Sequence, residues 1–86
     1  MRGVIRLHDA TDHGGKVISA SATMLIDGLP AALVGDMVSC PLPGHGITPI
    51  LPGPGSMMSD DRQIALHGFT AGCGCCLLSS CTGFGE

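Results

Sequence analysis

Residues 16–34 read KVISASATMLIDGLPAALV. Along the first part of this stretch Ile18, Ala20, Ala22, Met24 and Ile26 fall on one face, and Ser19, Ser21 and Thr23 on the other. That period of two is the signature of a half-buried strand. Asp27-Gly28 is a tight-turn dipeptide, after which Leu29–Val34 returns as a second strand and Gly35-Asp36 turns again. The unit is a β-hairpin.

The hairpin recurs. A shift of 33 positions lays Asp60 on Asp27, Ala65 on Ala32, Leu66 on Leu33, Gly68 on Gly35 and Cys73 on Cys40. A shift of 27 lays Asp36 on Asp9 and Cys40 on His13, so residues 4–13 form the closing half of an earlier, truncated copy. The copies predict that the turns at 8–15, 35–46 and 68–74 lie at one end, with those at 27–28 and 60–61 nearer the other. His13, Cys40 and Cys73 then converge. Segment 41–55, PLPGHGITPILPGPG, is proline-rich, which favours loop, bulge or edge positions over a central ladder. No helix of any length is predicted, and the tail LLSSCTGFGE is expected to be a short strand or coil.

Composition explains why such a chain needs a pin. At 86 residues it is expected to form a single domain over 1–86, with limited burial that metals, disulfides or partners usually supplement. Two phenylalanines and no tryptophan or tyrosine leave the core to Ile, Leu, Val, Met and Ala. Fourteen glycines and six prolines mark frequent turns, while the 44% apolar fraction argues against disorder. The net charge of −3, with Arg2, Arg6, Lys16 and Arg62 as the fixed cations, offers no basic footprint for nucleic acid or anionic membrane. No apolar run approaches a membrane span and no secretory signal opens the chain, so synthesis in the cytoplasm is expected.

Five cysteines, four of them between 73 and 81, cannot all pair internally and suit a metal in a reducing compartment. The candidate ligands are His13, Cys40, His45, His67 and Cys73, each beside glycine or proline in a turn. Zinc takes four nitrogen and sulfur donors of these types in closed tetrahedral sites. Cys40-Pro41-Leu42-Pro43-Gly44-His45 is the most specific of the motifs, a thiol and an imidazole around two prolines. His67 is promoted only by its place beside the expected apex, and His8 reads as structural or exposed. Cys75 and Cys76 lead into Leu77-Leu78 and read as small buried packing thiols, with Cys81 also outside the ligand set. Catalysis finds little support. Polar groups are too few for a substrate pocket, Asp60-Asp61 is a solvated turn, and Gly53-Pro54-Gly55 lacks the lysine and hydroxyl of a phosphate loop.

Pro30-Ala31-Ala32-Leu33-Val34-Gly35-Asp36, His13-Gly14-Gly15, Cys40-Pro41 with His45-Gly46, and Cys73-Gly74 together make the chain resemble a PAAR-repeat protein over essentially its whole length. It departs from the pattern at Leu33, where the name-giving arginine would stand, at Gln63-Ile64-Ala65-Leu66, and at His8 in place of glycine. The resemblance implies a small all-β cone of pseudo-threefold hairpins pinned by a metal near the apex. It implies a structural, non-enzymatic role: capping and sharpening the trimeric VgrG spike of the bacterial type VI secretion system, one copy per trimer. It also implies effectors carried on such a tip, which would touch the target membrane transiently and leave the cytoplasm with the apparatus. It further implies zinc held by three histidines and one cysteine, here His13, His45 and His67 with Cys40 or Cys73. The base, including Ser21, Ala22, Thr23 and the 55–61 region, would face the partner. Two rivals from other classes are a zinc-knuckle adaptor presenting the tail from residue 73, and a small thiol or metal enzyme.

Overall fold

Short strands between frequent turns carry the fold of the computed structural model, which describes residues 2–41, 46–80 and 85. They are β1 (Lys16–Val17), β2 (Leu25–Ile26), β3 (Leu29–Pro30), β4 (Met37–Cys40), β5 (Gly46–Pro49), β6 (Met58–Ser59) and β7 (Arg62–Gln63). No helix occurs among the described residues, so the all-β class expected from the periodicity is the class observed. β4 lies between β1 and β5, antiparallel to both, with Lys16 opposite Ser39 and Met37 opposite Pro49. β2 pairs with β3 across Asp27-Gly28, and β6 with β7 across Asp60-Asp61.

The long strand expected over 16–27 is interrupted between β1 and β2. Its backbone donors go to carboxylates: Ser21 N–H donates to Asp36 Oδ2 at 2.9 Å and Thr23 N–H to Asp60 Oδ2 at 3.1 Å. Side-chain acceptors here take donors that a ladder would otherwise use. The return strand is likewise short. Ala31 and Leu33 bridge instead to Arg6 and Ile64, residues of the other two copies.

The repeat is visible bond by bond. In the turns Arg6–Asp9, Leu33–Asp36 and Leu66–Phe69, the fourth residue's N–H donates to the first carbonyl at 3.0, 2.9 and 3.0 Å. The third residue has φ of 74° at His8, 97° at Gly35 and 92° at Gly68. A type II turn needs positive φ there, which glycine adopts without strain and histidine does not. Asp9 and Asp36 each accept their turn's first N–H at 2.8 Å, whereas the third turn has Phe69 in that place.

Each turn opens a tip-directed hairpin, and the three hairpins close into a ring. Val17 pairs with Val38, Ile50 bridges Ala71, and Leu77 bridges Thr11. Just beyond, the N–H groups of Ile18, Leu51 and Leu78 donate to the carbonyls of Met37, Thr70 and Ala10 at 3.0, 2.8 and 2.9 Å. Ring closure leaves fewer sheet edges open. At its centre Ile5 N–H donates to Ala65 O, Ala65 N–H to Ala32 O and Ala32 N–H to Ile5 O, at 2.9, 3.0 and 2.8 Å. All three residues are fully buried. Alanine suits two of these positions because the backbones approach one another there, leaving little volume for side chains. Around this axis pack Val4, Val17, Leu33, Val38, Ile50, Ile64, Leu66 and Leu77, the aliphatic core the composition required. Away from the tip, β2–β3 and β6–β7 form two equivalent extensions, and Gly3 bridges Gly85 at the third such place.

Candidate metal centre

The tip is formed where the ends of three hairpins meet. In the first, Thr11 N–H donates to Gly15 O and Gly14 N–H to Thr11 O. The third repeats it, with Ala71 N–H to Cys75 O and Gly74 N–H to Ala71 O. The second hairpin is β4–β5, closed by the pairing of Cys40 with Gly46, and residues 42–45 between them lie outside the described residues. Asp12 staples the first turn to the third: its N–H donates to Cys76 O at 3.0 Å and its Oδ1 accepts Cys76 N–H at 2.9 Å. The tip is thereby fixed by backbone bonds before any side-chain donor is considered.

One nitrogen of His13 and the sulfurs of Cys40 and Cys75 lie within 4.8 Å of one another. His13 is exposed and the two thiols are buried, so the group runs from the surface into the tip. Cys73 Sγ lies 3.0 Å from Cys75 Sγ. None of Cys40, Cys73, Cys75 and Cys76 is in a disulfide. Burial pushes the Cys75 thiol up to about 12, helped by its contact with Cys73 and by the charges of Cys73 and Cys40, against a smaller downward effect of Thr11. These thiols cannot share negative charge in a dry tip without a cation. Imidazole and thiolate from separate turns are donors that zinc accepts, so the chemistry of the set fits a metal ion.

Of the residues singled out in the sequence, the structure brings His13 and Cys40 together. Cys73 reaches this group through Cys75. His67 is not gathered with them. Its Nδ1 accepts Ser79 N–H at 3.0 Å, and its own N–H donates to Gly3 O at 2.8 Å. The expected single turn over 68–74 is in fact two turns separated by Thr70-Ala71, so His67 sits one strand away from the tip, level with Val34 and Leu7. His45 lies outside the described residues. Cys75, taken from the sequence as a packing thiol, is a member of the group. The repeat itself held the signal: Cys75 occupies in the third hairpin the place of Gly15 in the first. Gly15 is buried against the neighbouring hairpin, where a Cβ would collide with the Ser39 carbonyl.

Three turn-ended hairpins closed into a ring, with imidazole and thiols gathered at their tip, define a metal-competent β structure of pseudo-threefold design. A family model, the PAAR motif, matches residues 7–79, and the chain belongs to that family. The PAAR motif is associated with the tip proteins of type VI secretion spikes, a structural role. No curated protein matches the chain. Among the described residues no helix is long and apolar enough to cross a membrane.

Proposed function

We propose that this protein is a spike tip: one copy caps a trimeric VgrG spike of a type VI secretion apparatus, sharpens it for piercing a target membrane, and leaves the cytoplasm with it. The observation that carries this reading is the threefold repetition of backbone bonding in a single chain. A true trimer offers three equivalent surfaces, and a monomer whose three faces are alike can satisfy all of them at once.

Exposed apolar groups follow the same symmetry. Ile18, Leu51 and Leu78, one from each face, are 39%, 40% and 38% exposed. Leu25 on β2 and Met58 on β6 stand at equivalent places away from the tip, 64% and 60% exposed. These favour the end opposite the thiols as the base. Within the base region expected from the sequence, Ala22 is buried in the core while Met58 is exposed, and Leu25 joins Met58 as a contact in this reading. Zinc is the metal proposed for the tip, and effector carriage would use surfaces outside the capped base.

Mixing the metallated chain with its cognate VgrG and weighing the complex by light scattering tests the proposal. The expected result is one copy per trimer, with an affinity that changes little with salt because the contacts are mainly apolar. Three copies per trimer, or no binding, would remove the spike-tip reading.

A further inference from the structure

We propose that Cys73 and Cys75 are a reversible redox pair: on oxidation they join in a disulfide within the third tip turn, and Cys75 is then lost to the group it makes with His13 and Cys40. The loss of a donor matters on the reading that this group holds a metal ion; the disulfide itself does not depend on that reading.

Both thiols lie on one turn. Ala71 N–H donates to Cys75 O and Gly74 N–H to Ala71 O, at 3.0 and 2.9 Å, which fixes the ends of that turn. Gly74, between the two cysteines, has φ of 92°, a left-handed conformation that folds the chain back. The two sulfurs are thereby brought to 3.0 Å. Carbon atoms, which are smaller than sulfur, settle at about 3.5–4.0 Å when they are not bonded. A disulfide is about 2.05 Å long, so closing it from this contact takes a movement of only about 1 Å. The first turn repeats the same backbone bonding with His13 and Gly15 at the matching places, so it carries no such pair. Cys76 follows directly, but successive side chains alternate and its N–H and carbonyl are both tied to Asp12, so it faces away from Cys73.

Exposure sets the order of the chemistry. Cys73 is half-buried and Cys75 has no exposed surface, so a peroxide meets Cys73 first. The Cys73 thiol gives two electrons to hydrogen peroxide, becoming a sulfenic acid and releasing one water. The Cys75 thiol then attacks that sulfur. The S–S bond forms as the S–OH bond breaks, and the departing hydroxide takes the Cys75 proton as a second water. Reduced glutathione reverses the step by thiol–disulfide exchange, two of its thiols being oxidised to their own disulfide as both cysteines regain their protons. A ring of so few residues restrains the unfolded chain little, and the bond can be reached through Cys73, so it belongs with labile rather than structural disulfides. Once oxidised, the Cys75 sulfur is no longer the thiolate that a metal takes. Thiols persist in a reducing compartment and the bond persists outside it, so a tip carried outward passes from one state to the other.

The test uses the full chain, first reduced and then treated with hydrogen peroxide, with remaining thiols alkylated under denaturing conditions and mapped by fragmentation mass spectrometry. The expected product has lost two hydrogens, carries no label on Cys73 and Cys75, and returns to the fully labelled form after reduced glutathione. A bond between any other two cysteines, Cys40 and Cys75 included, or a Cys73 oxidised beyond the sulfenic acid beside a labelled Cys75, overturns the pairing. Cys73→Ser, at a half-buried turn position, should abolish the bond, and Cys76→Ser should leave it; the reverse pattern overturns it too. In the zinc-loaded chain a chromogenic chelator should register one zinc released for each disulfide formed. A disulfide formed with zinc retained overturns the loss of Cys75 as a donor. A reduced chain that takes up no zinc removes the metal reading alone, and the mapped bond still decides the redox pair.

Discussion

Around Ile5, Ala32 and Ala65 the three repeats meet through a cycle of backbone hydrogen bonds wrapped in aliphatic side chains. At the tip the same three repeats meet through His13, Cys40 and Cys75, with Asp12 tied to Cys76 beside them. The difference follows from geometry. A ring of hairpins has an interior only where each hairpin can turn a face inward, and near the turns each contributes a residue or two. Burial at about 25 cal/mol per Å² then has little area to act on, and donor atoms that bind a common ion become the more effective way to close the structure. The molecule, 33 × 23 × 21 Å, is thus held by packing through its body and by polar chemistry at its end.

The largest effect is expected in the body. Leu33 is fully buried, bridges to Ile64 and packs beside the axis. Leu33→Ala keeps the backbone bridge but leaves a cavity in the aliphatic core, and should lower the unfolding free energy by about 2–5 kcal/mol. Urea denaturation measures it. If body and tip are held by separate forces, the folded variant should still take up one equivalent of metal, and loss of metal binding in the folded state would break the comparison.

At the tip the next largest effect depends on pH. In the metal-free chain the Cys75 thiol is raised from an ordinary 9.0 to about 12, chiefly by burial. A raised pKa means that the folded state holds the proton more tightly than the unfolded one. The stabilisation is therefore complete below pH 9 and is lost as the pH rises from 9 toward 12. Melting temperature followed over that range should fall more steeply for the metal-free protein than for its Cys75→Ala variant. Equal slopes would show that the thiol is not held in a dry site.

Asp36 gathers donors from three separate segments of the chain. It accepts the N–H groups of Leu33 and Ser21, the Ser21 hydroxyl, and Arg62 at 3.4 Å. Asp36→Ala leaves these donors without their acceptor at a buried position and should cost about 1–3 kcal/mol. The matching turn with Phe69 manages without a carboxylate, so a loss well below that range would mean that apolar packing can replace the network on any face.

How much of this was legible follows the same division. The hairpin over 16–34 and its copy 33 residues on were readable because Asp27-Gly28 and Gly35-Asp36 announce their turns chemically, and Asp60 and Gly68 repeat them. The strand over 16–27 was overextended, since nothing local reveals that Asp36 and Asp60 take the N–H groups of Ser21 and Thr23. At the tip, residue type and turn context offered His13, Cys40, His45, His67 and Cys73, and the repeat brought His13 and Cys40 together with Cys73. Which cysteine of the third hairpin points inward depends on the alternation of side chains through a turn, and a turn placed as one unit over 68–74 hid the bridging residues Thr70-Ala71 that separate His67 from the tip. Cys75 could have been found by asking what the repeat puts opposite Gly15.

The smallest expected effect tests how strictly the three faces are equivalent. His8 holds the position occupied by Gly35 and Gly68, with φ of 74° against 97° and 92°. It is exposed, so its side chain gains little from packing to offset the left-handed backbone. A left-handed conformation costs a non-glycine residue about 1–2 kcal/mol, part of which glycine returns through the extra entropy it loses on folding. His8→Gly should therefore raise stability by about 0.5–1 kcal/mol, read as a higher urea midpoint with an unchanged slope. Gly35→Ala should move it the other way by about 1–2 kcal/mol. A destabilised His8→Gly variant would mean that the first face uses its histidine for a contact the other two lack, and the symmetry of the turns would then stop at the backbone.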